Sequence, residues 1–360
     1  MHLKNLHLWL PAYLRNRMQH MTCASKPKRL WITLADHFEP LGGRVSMETA
    51  TKRVLSWQAL WPTITEVAPK DAAGQAPRYT FFYPQEEYDR RLLQLIEPLV
   101  RAEIVDVEVH IHHDRDTACS LRNKLVEFCY RLHQQHNLLR VQNGRIVFGF
   151  IHGNWALDNS RHDGRWCGVT GETQLLHDLG CYADMTMPSF PSETQSRIIN
   201  QIYWATGDPC HPRAFDRGIE VKAGEGVRNS LLMIPGPLGF RFKDRRLPRI
   251  ETGELAIYDP PTPYRVGRWI DLAPRIGDDI FVKLHSHAAR EDNAGALLGT
   301  TSSSGVLASM FRWVHEIAQE RGLELHWASA YQMYQAIDKL LLRSPGGEAE
   351  NAPDSEVAAS

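Results

Sequence analysis

The sequence lacks long apolar runs, paired cysteines and an excess of charge of either sign. No apolar stretch approaches the roughly 20 residues that a membrane-spanning helix needs, so no transmembrane segment is expected. The cysteines show no C-x-x-C pairing, which favours reduced thiols in the cytoplasm over a disulfide framework. Lys+Arg 41 against Asp+Glu 42 leaves a formal net charge of -1, and without a basic field no nucleic-acid partner is expected.

The two ends of the chain differ from its middle in composition and apolar pattern. Residues 1–27 form a helical, basic segment whose apolar patch, Leu8 to Leu14, is short and broken by Pro11. This patch is compatible with a poor signal sequence, an interfacial anchor or a packed helix. We favour a helix that is packed or loosely attached, which leaves weak peripheral membrane association open. Residues 344–360 have the composition of a disordered tail.

Between these ends, residues 28–343 alternate buried strands with amphipathic helices about seven or eight times. This rhythm predicts an α/β fold, a parallel sheet closed or nearly closed into a (β/α) barrel of about seven or eight units. Prolines and glycines become frequent from about residue 207 to 279. We interpret that region as an ordered, irregular insertion before the last strands.

Histidines are what the sequence has in quantity, 17 in all, and they concentrate in short runs. The segment Val107 to Asp116 reads VEVHIHHDRD. Its period-two alternation predicts a strand with His110 and His112 on one face, followed closely by Asp114. Imidazoles and a carboxylate at a strand end are suitable ligands for a zinc-type ion.

Polar side chains follow other predicted strands at the same point, where each strand ends. They are Asp36, His37, His152, Asn154, Trp155, Asp184, His285 and His287. In (β/α) barrels the carboxyl ends of the strands form one mouth, and active sites are built there. These side chains are therefore expected to surround a single site.

The order of these motifs resembles the polysaccharide deacetylase family, the NodB-homology hydrolases. The stretches that carry the resemblance are Thr33–Asp36, His110–Asp114, His152–Trp155, Ala183–Met185 and Val282–His285. It implies a NodB-like distorted barrel that hydrolyses the N-acetyl amide bonds of a carbohydrate. It also implies one divalent metal, with zinc expected first and cobalt, manganese or nickel as alternatives.

The resemblance also implies roles for individual residues. Asp36 matches the metal-binding aspartate and His110 the first metal histidine. Asp114 stands at the position of the second histidine, and His112, on the same strand face as His110, competes with it as the third ligand. His285 matches the general acid, for which an unperturbed imidazole pKa near 6.5 is suitable.

The sequence departs from the family at the catalytic base, where Ala35 cannot accept a proton. If the register shifts by one residue, Asp36 becomes the base and His37 takes the metal position; spacing leaves both registers open. His37 and Asp36 are therefore the candidate bases.

The substrate-binding expectations concern the remaining strand ends. His152 replaces the arginine that orients the base, and Trp155 stands where a backbone N–H is offered to the oxyanion. Asn154, Asp184 and Trp155 are expected to contact sugar hydroxyls or a ring face, and His287 lies beside His285.

Two other functions stay open. The first is a catalytically inactive deacetylase-like barrel that binds glycan or scaffolds polysaccharide biosynthesis. Ala35 and Asp114 favour it, whereas His285 and His287 argue against it. The second is a metal phosphoesterase or amidohydrolase barrel. It is less well supported because such barrels carry H-x-H on their first strand.

Overall fold

The structure is a computed structural model, and it describes residues 5–22, 26–243 and 248–342. The described strands in chain order are β1 Arg29–His37, β2 Tyr79–Pro84, β3 Val105–Ile111, β4 Arg140–Gln142, β5 Arg145–His152, β6 Cys181–Asp184, β7 Tyr203–Ala205, β8 Gly218–Glu220, β9 Leu232–Met233, β10 Gly239–Arg241, β11 Arg249–Glu251, β12 Glu254–Leu255, β13 Arg275–Ile276, β14 Asp279–Ser286 and β15 Glu324–Trp327. The described helices are α1 Leu6–Thr22, α2 Met47–Val67, α3 Arg90–Arg101, α4 Ala118–His136, α5 Glu172–Leu179, α6 Pro263–Leu272, α7 Glu291–Leu298, α8 Val306–Glu320 and α9 Ala330–Leu342.

Most of these strands form one large sheet. Its order is β12-β14-β1-β2-β3-β5-β6-β9-β7-β8, and every neighbouring pair from β12 to β9 is parallel. β15 adds a further parallel pairing with β1. The predicted α/β class with a parallel sheet is confirmed. Within the described ranges, no strand pair joins the two ends of this order, so the ladder by itself is that of an open sheet.

The register of the parallel pairs brings the strand ends to one edge of the sheet. Ala35 on β1 lies opposite His285 on β14, Pro84 on β2 opposite His110 on β3, and Ile111 on β3 opposite His152 on β5. Parallel strands in register end together, so the polar residues that follow them share the carboxyl edge of the sheet.

The two faces of the sheet contribute to different hydrophobic clusters. One face, which we call the outer face, packs Leu34, Val109 and Phe150 against the helices α2, α3, α4 and α8. The opposite, inner face packs residues such as Ala35 and Ile151 with the helix α9. Since side chains alternate along a strand, odd and even positions of β1 and β3 are separated by the whole thickness of the sheet.

The flanking segments agree in part with the sequence-based interpretation. α1 packs on the domain through Trp9 and Tyr13, which contact Phe190 and Phe240. No described helix has the length and apolarity to cross a membrane. The region from 207 to 279 contains the short strands β8 to β13 and α6, apart from residues 244–247, which lie outside the described residues. The tail expected at 344–360 also lies outside them.

Candidate functional site

The carboxyl edge of the sheet holds a group of potential metal ligands on its inner face. It consists of His37 at the end of β1, Glu39 two residues later and His110 near the end of β3, and one ligand atom from each lies within 4.8 Å of the others. We call these three residues the inner cluster. The positions fit strand alternation, because the neighbours Phe38, Val109 and Ile111 pack in the outer-face core.

The hydrogen bonds of His110 define which of its nitrogens can bind a cation. Nδ1 lies 2.9 Å from the carbonyl oxygen of Ile151, and because a carbonyl only accepts, Nδ1 carries a proton and donates it. In the neutral ring, Nε2 then presents a lone pair, and it lies 3.3 Å from Oε1 of Glu39. A lone pair facing a carboxylate needs a proton or a metal cation between them.

Electrostatics keep this group in ligating form. Burial by itself raises the pKa of Glu39, but His110 and the neighbouring histidines bring it down to about 2, so the carboxylate is ionised. Burial, followed by the charges of His287 and His110, lowers the pKa of His37 well below its usual value. His37 is therefore a neutral imidazole, and its buried Nδ1 has no hydrogen-bond partner among the described residues.

His112 lies at the solvent-facing side of the inner cluster. Its side chain is 31 % exposed, its Nε2 lies 3.5 Å from Oε1 of Glu39, and its Nδ1 is hydrogen-bonded to Glu86. Burial opposes the charged form, but the Glu86 carboxylate outweighs it and raises the pKa of His112. A Cβ on Gly153 would lie 2.4 Å from the His112 ring, so only glycine leaves room for this histidine.

His285 and His287 complete the ring of imidazoles around His37. The His37 ring centroid lies 4.6 Å from that of His287 and 6.4 Å from that of His285. Burial is the largest cause that lowers the pKa of both, well below the usual value for His285. Both are thus neutral imidazoles at neutral pH. An imidazole that starts neutral can act as an acid only after it has taken a proton.

Trp155 lies beside these rings, with its centroid 6.2 Å from His37 and 6.3 Å from His287. Its backbone N–H donates to the carbonyl of His152 over 3.1 Å, so the structure does not support the expected use of that N–H for an oxyanion. The indole Nε1 is buried and, within the described part of the chain, has no acceptor. The indole, rather than the backbone, is the free donor.

The structure does not bring the two aspartates of the expected ligand set into the inner cluster. Asp36 neighbours His37 and so lies on the outer face, where its Oδ1 accepts from Ser286 Oγ at 2.6 Å and from the N–H of Ala288 at 2.8 Å. Burial raises the pKa of Asp36 to about 8, which makes it a neutral acid at neutral pH. Asp114 is exposed, and its carboxylate accepts from the N–H of Trp166.

Two further candidates are also placed away from the inner cluster. His152 follows Ile151 and lies on the outer face. Asp184 is 1 % exposed, and its carboxylate accepts from the N–H and the hydroxyl of Thr186 at 3.0 and 2.8 Å. Burial raises the pKa of Asp184 to about 7. A side chain so enclosed does not support the expected contact with sugar. The backbone N–H of Asn154 lies 3.3 Å from Nδ1 of His152.

His152 belongs instead to a second group of potential ligands, which we call the outer cluster. Its members are His113, His152, Cys167 and Glu172, all buried, with ligand atoms within 4.8 Å of one another. Sequence reasoning missed Glu39, Cys167 and Glu172. Glu39 had a signal, since it shares the face of His37 at i+2. Cys167 and Glu172 had none, because they come from a loop and a helix start far from the strand ends in sequence.

The described residues thus contain two groups that could hold a metal ion. No protein-family model matches the sequence, and a search of curated proteins finds no match.

Proposed function

We propose that the protein is a metal-dependent hydrolase that removes acetyl groups from N-acetylated carbohydrate. In this proposal one divalent ion, zinc first, is held by His37, Glu39 and His110. The observation that carries the proposal is the lone pair of His110 Nε2 facing the Glu39 carboxylate at 3.3 Å, since the Nδ1 proton is committed to Ile151. Two imidazoles and one carboxylate are a donor set of catalytic zinc sites.

The position of the cluster agrees with such a role. We place it at the mouth of a distorted (β/α) barrel, because the parallel strands β14, β1, β2, β3 and β5 end at the same edge. The order of sequence motifs that resembles the polysaccharide deacetylases supports the same assignment. It also supports an amide of an N-acetylated sugar as the substrate.

A bound divalent ion would lower the pKa of a coordinated water toward about 7 and polarise the amide carbonyl. The chain's own residues handle the protons. His285 or His287, neutral at rest, accepts the proton from the attacking water as the new C–O bond forms. The same imidazole then donates that proton to the amine nitrogen as the C–N bond breaks, so that a free amine and acetic acid leave, and the acid loses its proton to solvent as acetate.

Trp155 and Lys283 have roles other than proton transfer. The indole N–H of Trp155 has no acceptor among the described residues, and its ring lies beside those of His37 and His287, so it can stabilise the negative charge that develops on the carbonyl oxygen. The ammonium of Lys283 donates to the carbonyls of Met185 and Met187, each at 2.8 Å. Lys283 therefore holds the strand ends rather than substrate.

The experiment measures metal content and amine release with the full chain. Purified protein loaded with zinc or cobalt is incubated with an N-acetylglucosamine oligosaccharide, and free amine and acetate are quantified. His37→Ala and His110→Ala should each lose one equivalent of metal and the activity. His211→Ala, at an exposed histidine paired with Asp208, is the matched control.

The outcomes separate the proposal from its alternatives. Full metal retention in both His37→Ala and His110→Ala contradicts the ligand assignment. Metal that is lost in these variants, without amine release by the wild type, supports the inactive glycan-binding alternative. Phosphate release from a phosphoester in place of amine release supports the metal phosphoesterase.

A further inference from the structure

The outer cluster draws its side chains from four separate segments. His113 follows β3, His152 ends β5, Cys167 lies in the loop before α5, and Glu172 begins α5. His152, Cys167 and Glu172 are 0 % exposed and His113 is 4 % exposed. Four ionisable or thiol side chains that share one sealed volume are costly to bury unless they satisfy one another or bind an ion.

Their contacts converge on the Glu172 carboxylate. Nε2 of His113 lies 3.1 Å from Oε1, Nε2 of His152 lies 3.9 Å from the same oxygen, and Sγ of Cys167 lies 3.4 Å from Oε2. Nε2 of His152 is buried and makes no hydrogen bond to any residue the structure describes. The cluster thus contains an unsatisfied donor that points at its own centre.

We propose that the outer cluster is a second metal site that binds one zinc ion and has a structural role. A thiolate, a carboxylate and two imidazoles around Zn²⁺ sum to zero charge, which suits a site shielded from water. Sulfur and imidazole ligands together favour zinc over magnesium or calcium. Four protein ligands leave no open position, as in structural rather than catalytic zinc sites.

The protons of the metal-free cluster have defined destinations when the ion binds. The Cys167 thiol proton is released to solvent, and the thiolate keeps the N–H groups of Asn159 and Val169, at 3.2 and 3.4 Å, as donors. The His113 proton moves from Nε2 to Nδ1. Nδ1 lies 3.6 Å from Oδ2 of Asp116, a carboxylate that can orient a ligating histidine from behind.

His152 is the weakest ligand of the four. Its Nδ1 faces the N–H of Asn154 at 3.3 Å, a long contact that places the neutral ring's proton on Nε2. Ligation through Nε2 requires that proton to move and the Asn154 contact to break. Loss of His152 should therefore weaken zinc binding less than loss of Cys167.

The site would tie the loop before α5 to the sheet. Asp158 in that loop accepts from the N–H groups of Gly171 and Glu172 at 2.8 and 2.9 Å, and its own N–H donates to Glu172 at 2.6 Å. The N–H of Asp116 also donates to the Cys167 carbonyl at 2.8 Å. An ion at the cluster links this network to His113, which follows β3, and to His152, which ends β5.

Cobalt substitution tests the proposal independently of catalysis. Cobalt-loaded wild type should show a near-ultraviolet thiolate-to-cobalt charge-transfer band, and Cys167→Ala should lose both the band and one equivalent of metal. The matched control is Cys181→Ala, because Cys181 is also buried but is not among the potential ligands. Cys181→Ala should keep both the charge-transfer band and the equivalent of metal. His152→Ala should retain the band with a weaker cobalt affinity, by about 10–100-fold.

His110→Ala separates this proposal from the proposed catalytic function. It should keep the band and one equivalent of metal, and X-ray absorption at the zinc edge should detect one sulfur ligand per zinc. No band in the cobalt-loaded wild type, or an unchanged band in Cys167→Ala, overturns the proposal. If Cys167→Ala does not fold, the zinc-edge spectrum of His110→Ala decides, and a zinc shell without sulfur overturns it.

Discussion

The inner and outer clusters each contain two histidines and one glutamate, on opposite faces of one sheet, but their access to solvent differs. In the inner cluster, Glu39 is 15 % exposed in its side chain and His112, beside it, is 31 % exposed. In the outer cluster, the side chains of His113, His152 and Glu172 are 0 % exposed. A catalytic metal site needs a side that is open to substrate, whereas a metal site that only stabilises the fold can be closed to solvent.

The difference follows from where each strand stops. β1 and β3 extend His37 and His110 to the carboxyl edge on the inner face, and no helix begins directly at either residue. On the outer face, the loop that carries Cys167 and the start of α5 cover His113 and His152. Whether a strand-end histidine lies in an open or a closed site depends on the segments that cover it, and these segments are distant in sequence.

The largest expected effect comes from exchanging the glutamate of the inner cluster. Glu39→Gln removes the charge with little change in shape, so metal affinity and amide hydrolysis should fall, with kcat/KM reduced by about 10³-fold. The melting temperature should stay within a few degrees. Steady-state amine release and calorimetry measure the two effects, and Glu48→Gln at an exposed helix position serves as the control.

The same exchange in the outer cluster should give the opposite pattern. Glu172→Gln leaves a fully buried group of imidazoles and a thiol without its central carboxylate, and breaking such a buried set costs about 3 kcal/mol of unfolding free energy. Urea unfolding of protein that still carries inner-cluster metal measures it. Unchanged stability together with lost hydrolysis would reverse the roles assigned to the two clusters.

Asp184, a buried carboxylate outside both clusters, should make the stability of the fold depend on pH. The pKa of Asp184 is raised to about 7 from an unfolded value near 3.9, so the folded state holds a proton that the unfolded state has lost between these pH values. The contribution of Asp184 to stability should therefore fall as pH rises from about 4 to about 7, by at most about 1.4 kcal/mol per pH unit. Asp36, whose pKa is also raised, keeps its own slope, so Asp184→Asn should shift the measured slope by the Asp184 contribution alone; equal slopes in both proteins would contradict the account.

The smallest effect is expected at Gly153, which neighbours His152 in sequence but contacts the inner cluster in space. Gly153→Ala places a methyl group 2.4 Å from the His112 ring, which must turn away from Glu39. Metal affinity at the inner cluster should fall by about 10-fold, while the thiolate–cobalt band of the outer cluster stays. Isothermal titration with zinc measures the affinity of the inner cluster, and absorption measures the band of the outer cluster. Loss of the band with unchanged affinity would contradict the assignment of Gly153 to the inner cluster.

The sequence predicts the sheet and the strand ends well because both depend on local alternation. Val107, Val109 and Ile111 alternate with His110, and the structure puts these apolar side chains in the outer-face core. The same alternation already separated Asp36 from His37. The match of Asp36 to a family aspartate nevertheless placed it with His110, although alternation puts Asp36 on the opposite face. The register shifted by one residue, with His37 at the metal position, agrees with the inner cluster.

Other parts of the site depend on contacts that no local pattern reports. The backbone N–H of Trp155 donates to the carbonyl of His152 in a turn, and the Asp184 carboxylate accepts two hydrogen bonds from Thr186. Cys167 and Glu172 reach His113 only because the loop before α5 folds back over the strand ends. Such pairings are set by tertiary packing and could not be read from periodicity or spacing.

The most direct test of the inner cluster is an anomalous-scattering map of zinc-soaked crystals. We predict a peak within about 2.1 Å of Nε2 of His110, shared with His37 and the carboxylate of Glu39. A map in which zinc binds elsewhere and leaves His110 and Glu39 in direct contact would contradict the account.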